Sequence, residues 1–242
     1  MNKFIDRLKT ALNQSCNDAR MFSDDDTNLI NAEYLITVNI AKSIAAMNKD
    51  FGGPYKIHLE HSTKKFSSSC PPLLSKKYSN NPFGYTEELR QGNLNTKRAG
   101  KIDIAVYTDG HILDKPYCAI EVKGFNPSKA KIIEDLERNL EYFSLAANTG
   151  LSELPFSLFA ALHSCKNTWC DAKELTNINR ITNRYKKYIA SLSMPNNTRY
   201  NIQVFTIRRG IVPQPDCEYI EMFGLQGNED YHFIGSIICF YQ

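Results

Sequence analysis

Two hydrophobic periods alternate along this 242-residue chain, and the switches between them mark its elements. Behind the cluster Ser23-Asp24-Asp25-Asp26-Thr27, whose side chains suit a helix start, a Gly- and Pro-free segment predicts a helix over about 28–48. Leu35, Val38, Ile40, Ala41, Ile44 and Ala45 form its apolar face, and Glu33, Thr37 and Ile40 share one edge, so a carboxylate sits beside the core. Past Gly52-Gly53-Pro54, residues 55–61 alternate in the period of a strand with one wet face. Residues 101–107 and 117–123 repeat that pattern, and a nine-residue connection containing Asp109-Gly110 joins them as a hairpin. A helix is expected over 128–148, with Ile132, Ile133, Leu136, Leu140, Phe143 and Ala147 facing a core and its charges turned outward. Next come a strand at 157–163 and a helix at 173–192 with Leu175, Ile178, Ile181, Tyr185, Tyr188 and Leu192 on its apolar side. Strands at 200–207 and 232–241 end the chain. Residues 62–97, rich in Ser, Asn, Lys and Pro, read as a long loop or insertion. This order predicts a mixed α/β fold in one domain over 1–242, with a C-terminal elaboration from 165.

Composition fits a folded chain: 42% apolar, 23% charged and a mean hydropathy of −0.40 lie far from the disordered corner. The longest uncharged apolar run, 233–241, is too short for a bilayer, and Lys3, Asp6, Arg7 and Lys9 interrupt the first fourteen residues. Seven scattered cysteines, an odd number, suit a reducing compartment. The expectation is a cytoplasmic protein with no membrane partner.

Charge is distributed unevenly. Residues 62–101 hold eight Lys/Arg against two Glu, residues 172–209 hold eight against one, and the last thirty hold five acids and no Lys or Arg. Two strongly basic segments point to a polyanionic partner. Arg180, Arg184 and Lys187 line one helix face at i, i+4, i+7, and Lys97, Arg98 and Lys101 lead into the first hairpin strand. Both sets are candidate phosphate contacts.

The candidate chemistry lies in that hairpin, Gly100-Lys101-Ile102-Asp103-Ile104 against Ile120-Glu121-Val122-Lys123. Alternation places Ile102, Ile104 and Val106 on one face and Asp103 on the other. A symmetric connection makes residues whose numbers sum to 224 oppose each other, which sets Asp103 across from Glu121. Like charges about 4.5–5.5 Å apart across a ladder are unfavourable in a purely structural sheet. Two converging carboxylates are what a hard divalent cation needs, and magnesium accepts one or two of them while keeping waters that a phosphate can displace. Lys123 could stabilise charge on that phosphate or position and deprotonate a water, and Glu33 is a further acid. The triplet acid-x-Lys is not informative alone: 26 acids and 19 lysines produce about two by chance, and it occurs at 121–123 and 171–173. Only the first ends an apolar strand whose partner carries an aspartate in register.

With Glu33 on a helix, Asp103 on one strand, Glu121-Val122-Lys123 on the next and a helix and strand to follow, residues 27–164 resemble the PD-(D/E)xK nuclease superfamily. The resemblance implies a restriction-endonuclease-like αβββαβ core with a mixed sheet flanked by helices. By it, Asp103, Glu121 and the Val122 position would hold magnesium, with manganese able to substitute; Lys123 would be the catalytic lysine and Glu33 an accessory acid. Ile102 stands where the family often has proline. The activity implied is endonucleolytic hydrolysis of DNA, with restriction or genome defence as the context. A non-catalytic nucleic-acid-binding module and an RNA nuclease are the alternatives, and cutting both strands from one site per chain would favour a homodimer.

Overall fold

The computed structural model describes residues 1–23, 33–72, 74–77, 86–89, 94, 100–110, 113–166, 171–211 and 230–242. It opens with a helix that the hydrophobic pattern had not suggested, α1 (Asn2–Ser23). Phe4, Ile5, Leu8, Ala11, Leu12, Cys16 and Ala19 recur at helical spacing and are all buried. The charges that interrupt this segment occupy its outer side, as in an amphipathic helix. α2 (Glu33–Phe51) follows. The capping cluster expected at 24–27 lies outside the described residues. The buried stripe of α2 is Ile36, Ile40, Ile44 and Met47, rotated from the expected face, so that Ala45 is exposed.

Among the described residues, ten strands form three sheets. The main sheet contains β1 (Tyr55–Ser62), β4 (Lys101–Thr108), β5 (Lys115–Phe125), β8 (Phe156–Lys166), β9 (Arg199–Ile211) and β10 (Asp230–Tyr241) in the order β1-β4-β5-β8-β10-β9. β5 and β8 pair in parallel and every other main-sheet pair is antiparallel, so the sheet is mixed. The parallel step needs a crossover, supplied by α4 (Lys129–Ser144). Residues 231–240 of β10 are buried on both faces, which accounts for the uncharged run there. Two further pairs are β2 (Leu74–Lys77) with β3 (Thr86–Leu89) and β6 (Ala146–Ala147) with β7 (Gly150–Leu151). The segment expected to be irregular therefore contains a strand pair and α3 (Thr63–Ser69), capped by Ser62. Its periodicity was hidden because each of these pieces spans two turns or fewer.

The sheet separates two apolar layers. α1 and α2 cover one face over Ile104, Val106, Cys118, Ile120, Val122 and Leu158. α3, α4 and α5 (Asp171–Ala190) cover the other over Ile102, Ala105, Ala119, Phe159 and Ile238. The result is an α/β fold with a mixed six-stranded sheet flanked by helices. Leu175, expected in the apolar side of α5, is 62% exposed, and Ala147 lies beyond the end of α4.

The hairpin register matches its symmetry in the middle, where Ile104 pairs with Ile120, Ala105 with Ala119 and Val106 with Cys118, but it slips by one toward the turn (Tyr107 with Pro116, Thr108 with Lys115), and Asp103 and Glu121 do not form a ladder pair. Its side-chain alternation does not follow the expected pattern. Glu60 of β1 adopts a φ of 51°, outside the extended region, at the break between the Leu59–Ile104 and His61–Ile102 pairs. Beyond that twist Ile102 joins the layer opposite to Ile104. Asp103 sits at the distortion. No helix among the described residues is long and apolar enough to cross a membrane, and Cys16, Cys70, Cys118, Cys165 and Cys239 are buried and not joined in disulfides.

Candidate active site

The start of β4, the end of β5, the first turn of α2 and the middle of α4 meet at one end of the sheet. Asp103 does not continue the backbone ladder. Its Oδ2 accepts the Val122 amide at 2.6 Å, so a carboxylate takes the place of a strand carbonyl. That contact fixes the side chain against β5. Burial, opposed by the Val122 hydrogen bond and the Lys123 charge, raises the Asp103 pKa to about 6.

One residue before that amide, Glu121 is 1% exposed. Its Oε1 accepts from Arg138 Nη1 at 2.7 Å, and the same nitrogen donates to the Lys101 carbonyl at 2.9 Å. Burial and the nearby Asp103 carboxylate push the Glu121 pKa well above the usual range, against the pull of Arg138. Asp103 raises the proton affinity of Glu121, and Glu33 and Asp135 raise that of Asp103, so a bound cation would relieve repulsion within this group of acids.

Lys123 places its ammonium 3.2 Å from Glu33 Oε1, 3.1 Å from Asp135 Oδ2 and 2.8 Å from the Val122 carbonyl. The contacts to Glu33 and the Val122 carbonyl are hydrogen bonds, and that to Asp135 is an ion pair. Burial works against its charge, but Asp135, Asp103 and Glu33 outweigh burial and raise its pKa. These acids favour the charged form of Lys123, which suits the role of stabilising charge on a phosphate. Glu33 also accepts from the Gly124 amide at 3.4 Å and so joins α2 to the end of β5.

Asp135 and Arg138 are members of this cluster that the hydrophobic pattern assigned to a wet helix face. They are 3% and 5% exposed. A signal existed: Asp135, Arg138 and Tyr142 run beside the apolar stripe of α4 at three-to-four spacing, in the position of a buried polar row.

The other candidate residues are spread apart. Lys101 leads into β4 and pairs with Glu60 at 3.7 Å, while Lys97 and Arg98 lie outside the described residues. Arg180 and Lys187 are exposed on α5 and Arg184 is partly buried; Arg180 also donates to Cys165 Sγ at 3.2 Å. His163 is enclosed, with Nε2 3.0 Å from Tyr185 Oη and 3.2 Å from Ser236 Oγ. Burial lowers its pKa to about 4, and that setting makes it a core residue.

Among the described residues no group of three or more His, Cys, Asp or Glu has the arrangement of a metal site. The donor chemistry nonetheless fits magnesium, which needs only one or two protein carboxylates. Asp103 and Glu121 are adjacent acids, and Glu33, Asp103, Glu121 and Asp135 set four carboxyl groups against the two cations Lys123 and Arg138. The Val122 carbonyl, expected as a third donor, accepts a hydrogen bond from Lys123 and keeps a second lone pair. Comparison with protein-family models, curated proteins and solved structures finds no match for this chain.

Proposed function

We propose that the chain is a magnesium-dependent phosphodiesterase with a restriction-endonuclease-like core, an endonuclease acting on DNA. The observation that carries this reading is the excess of two carboxyl groups in a cluster of six charged side chains at the junction of β4, β5, α2 and α4. A divalent cation would balance that excess. Asp103 and Glu121 would hold it, and when bound it supplies Lewis-acid polarisation of a phosphate oxygen and a water of lowered pKa. Arg138 keeps Glu121 in one position. Lys123, held charged between Glu33 and Asp135, offers a preorganised cation to the charge that grows on the attacked phosphate. Restriction or genome defence is the setting that this activity suits.

Incubation of supercoiled plasmid with magnesium, manganese or EDTA tests the reading. Nicked or linear product is expected with either metal and none with EDTA, and Glu121→Gln should abolish it. Single-stranded RNA run in parallel separates an RNA nuclease. A second reading, a non-catalytic nucleic-acid-binding module, draws on the ion pairs that engage Lys123 and Glu121 internally; retarded but uncut DNA under every metal condition would favour it.

A further inference from the structure

α5 crosses the strands instead of running along them. Its Glu174 bonds Thr206 and pairs with Arg209 at 2.7 Å, both on β9. Asn177 then meets His232 of β10 at 3.4 Å, and Arg180 and Tyr185 reach Cys165 and His163 of β8 at 3.2 and 3.0 Å. At the far end the Tyr188 ring lies 5.8 Å from Lys129 Nζ, in the first turn of α4. Lys123 pairs with Ala161, two positions before His163, so α5 spans the end of the sheet that holds the candidate site.

Asn177, Ile181, Tyr185 and Ile189 form the buried line of this helix. At about 100° per residue, Asn183 stands opposite that line, with Asn179 and Lys186 about 40–60° to one side and Lys187 and Arg180 about 40–60° to the other. All five are exposed. Asn177 is held by a buried imidazole, whereas among the described residues neither Asn179 nor Asn183 makes a side-chain hydrogen bond. Asparagine is a poor helix former because its amide competes with the backbone, so alanine at these positions would suit the helix better.

Base recognition accounts for them. An asparagine amide donates to N7 of adenine and accepts from its N6 amino group, and the major groove of DNA, about 12 Å wide, admits one helix. The two asparagines are about 6 Å apart along the axis, against about 3.4 Å for each base-pair step. Cations on both sides of them suit the phosphates that border the groove. The deep, narrow major groove of an RNA duplex does not admit such a face.

We propose that α5 reads duplex DNA, with Asn179 and Asn183 recognising adenines in the major groove while Arg180, Lys186 and Lys187 hold the flanking phosphates. This rests on the phosphodiesterase reading for its choice of ligand, and it deepens that reading by making the substrate a duplex with adenine-containing sites.

The test is selection by the full chain, in EDTA, from a pool of duplex DNA of random sequence. Wild type should enrich a motif with adenines one or two base pairs apart. Asn179→Ala/Asn183→Ala should melt at or above the wild-type temperature and lose roughly ten- to hundredfold in affinity for the enriched duplex, with binding to a duplex of G·C pairs unchanged. Replacing those adenines with 7-deazaadenine removes the N7 acceptor, which should weaken wild type several-fold and leave the asparagine variant indifferent. Lys186→Ala/Lys187→Ala should instead weaken both duplexes alike and lower the slope of log K against log[salt] by roughly 0.9 for each lost phosphate contact. No enrichment, a motif without adenine, a motif that the asparagine variant retains, or tighter binding of double-stranded RNA or of one strand alone would each overturn the assignment. Cleavage is read separately with magnesium. Asparagine-dependent duplex binding without cleavage would sink the phosphodiesterase reading alone, whereas plasmid cleavage at sites that the asparagine variant still selects would sink the α5 assignment alone.

Discussion

Arg138 Nη1 lies 2.7 Å from Glu121 Oε1, and both side chains are nearly excluded from solvent. Truncating one member of such a pair strands a buried charge, which costs about 3–5 kcal/mol. Arg138→Met is therefore expected to lower the urea midpoint sharply. Arg138→Met with Glu121→Leu should recover most of the loss, since two apolar groups leave nothing unpaired. A single variant as stable as wild type would show that Arg138 does not anchor Glu121.

Lys123→Ala removes the cation between Glu33 and Asp135, and with the side chain only 13% exposed its loss reaches the fold. A destabilisation of about 1–3 kcal/mol is expected in urea. Plasmid cleavage should fall by about two orders of magnitude or more while gel-shift affinity changes little. Cleavage within a few-fold of wild type would place the chemistry elsewhere.

Asp103 has a folded pKa of about 6 against an ordinary 3.8, because burial disfavours its charge. The folded state holds the proton longer, so the stabilisation present below pH 4 is lost as pH rises toward 6. Asp103→Asn removes that titration and keeps an oxygen for the Val122 amide. In EDTA at neutral pH it should be more stable than wild type by about 1–2 kcal/mol, gain little from magnesium and fail to cleave. Loss of stability in EDTA together with a full magnesium shift in melting temperature would make Asp103 a structural acceptor only.

His163 has the opposite dependence. Its folded pKa of about 4 lies below the ordinary 6.5, so the unfolded chain binds the extra proton between those values and stability is lost as pH falls through that window. His163→Gln should flatten the acid limb of the melting curve, which differential scanning calorimetry from pH 7 to about 4 would register. An unchanged acid limb would show that other groups control it.

The α5 stripe is testable by salt. Replacing Arg180, Arg184 and Lys187 together with alanine should weaken binding to all sequences alike and lower the slope of log K against log[salt] by roughly 0.9 for each phosphate that is no longer neutralised. Filter binding across salt concentrations measures the slope, and an unchanged value would assign the stripe to solvent.

The sequence by itself determined the strand hairpin, its 224-sum register over Ile104–Val106 and the α4 crossover, because each depends on periodicity and a short connection. It also carried α1 in a seven-residue buried stripe, masked by charges that lie on the same helix's outer face. Only the tertiary structure decided which carboxyl groups are buried and what each one meets. Asp135 and Arg138 look like wet helix residues until α4 packs over β5, and Lys123 stands alone on its strand until Glu33, ninety positions away, closes on its ammonium. Periodicity fixes which way a side chain points within its own element. Its burial, its charge neighbours and hence its proton affinity depend on elements far away in the chain, and those are set when the layers pack.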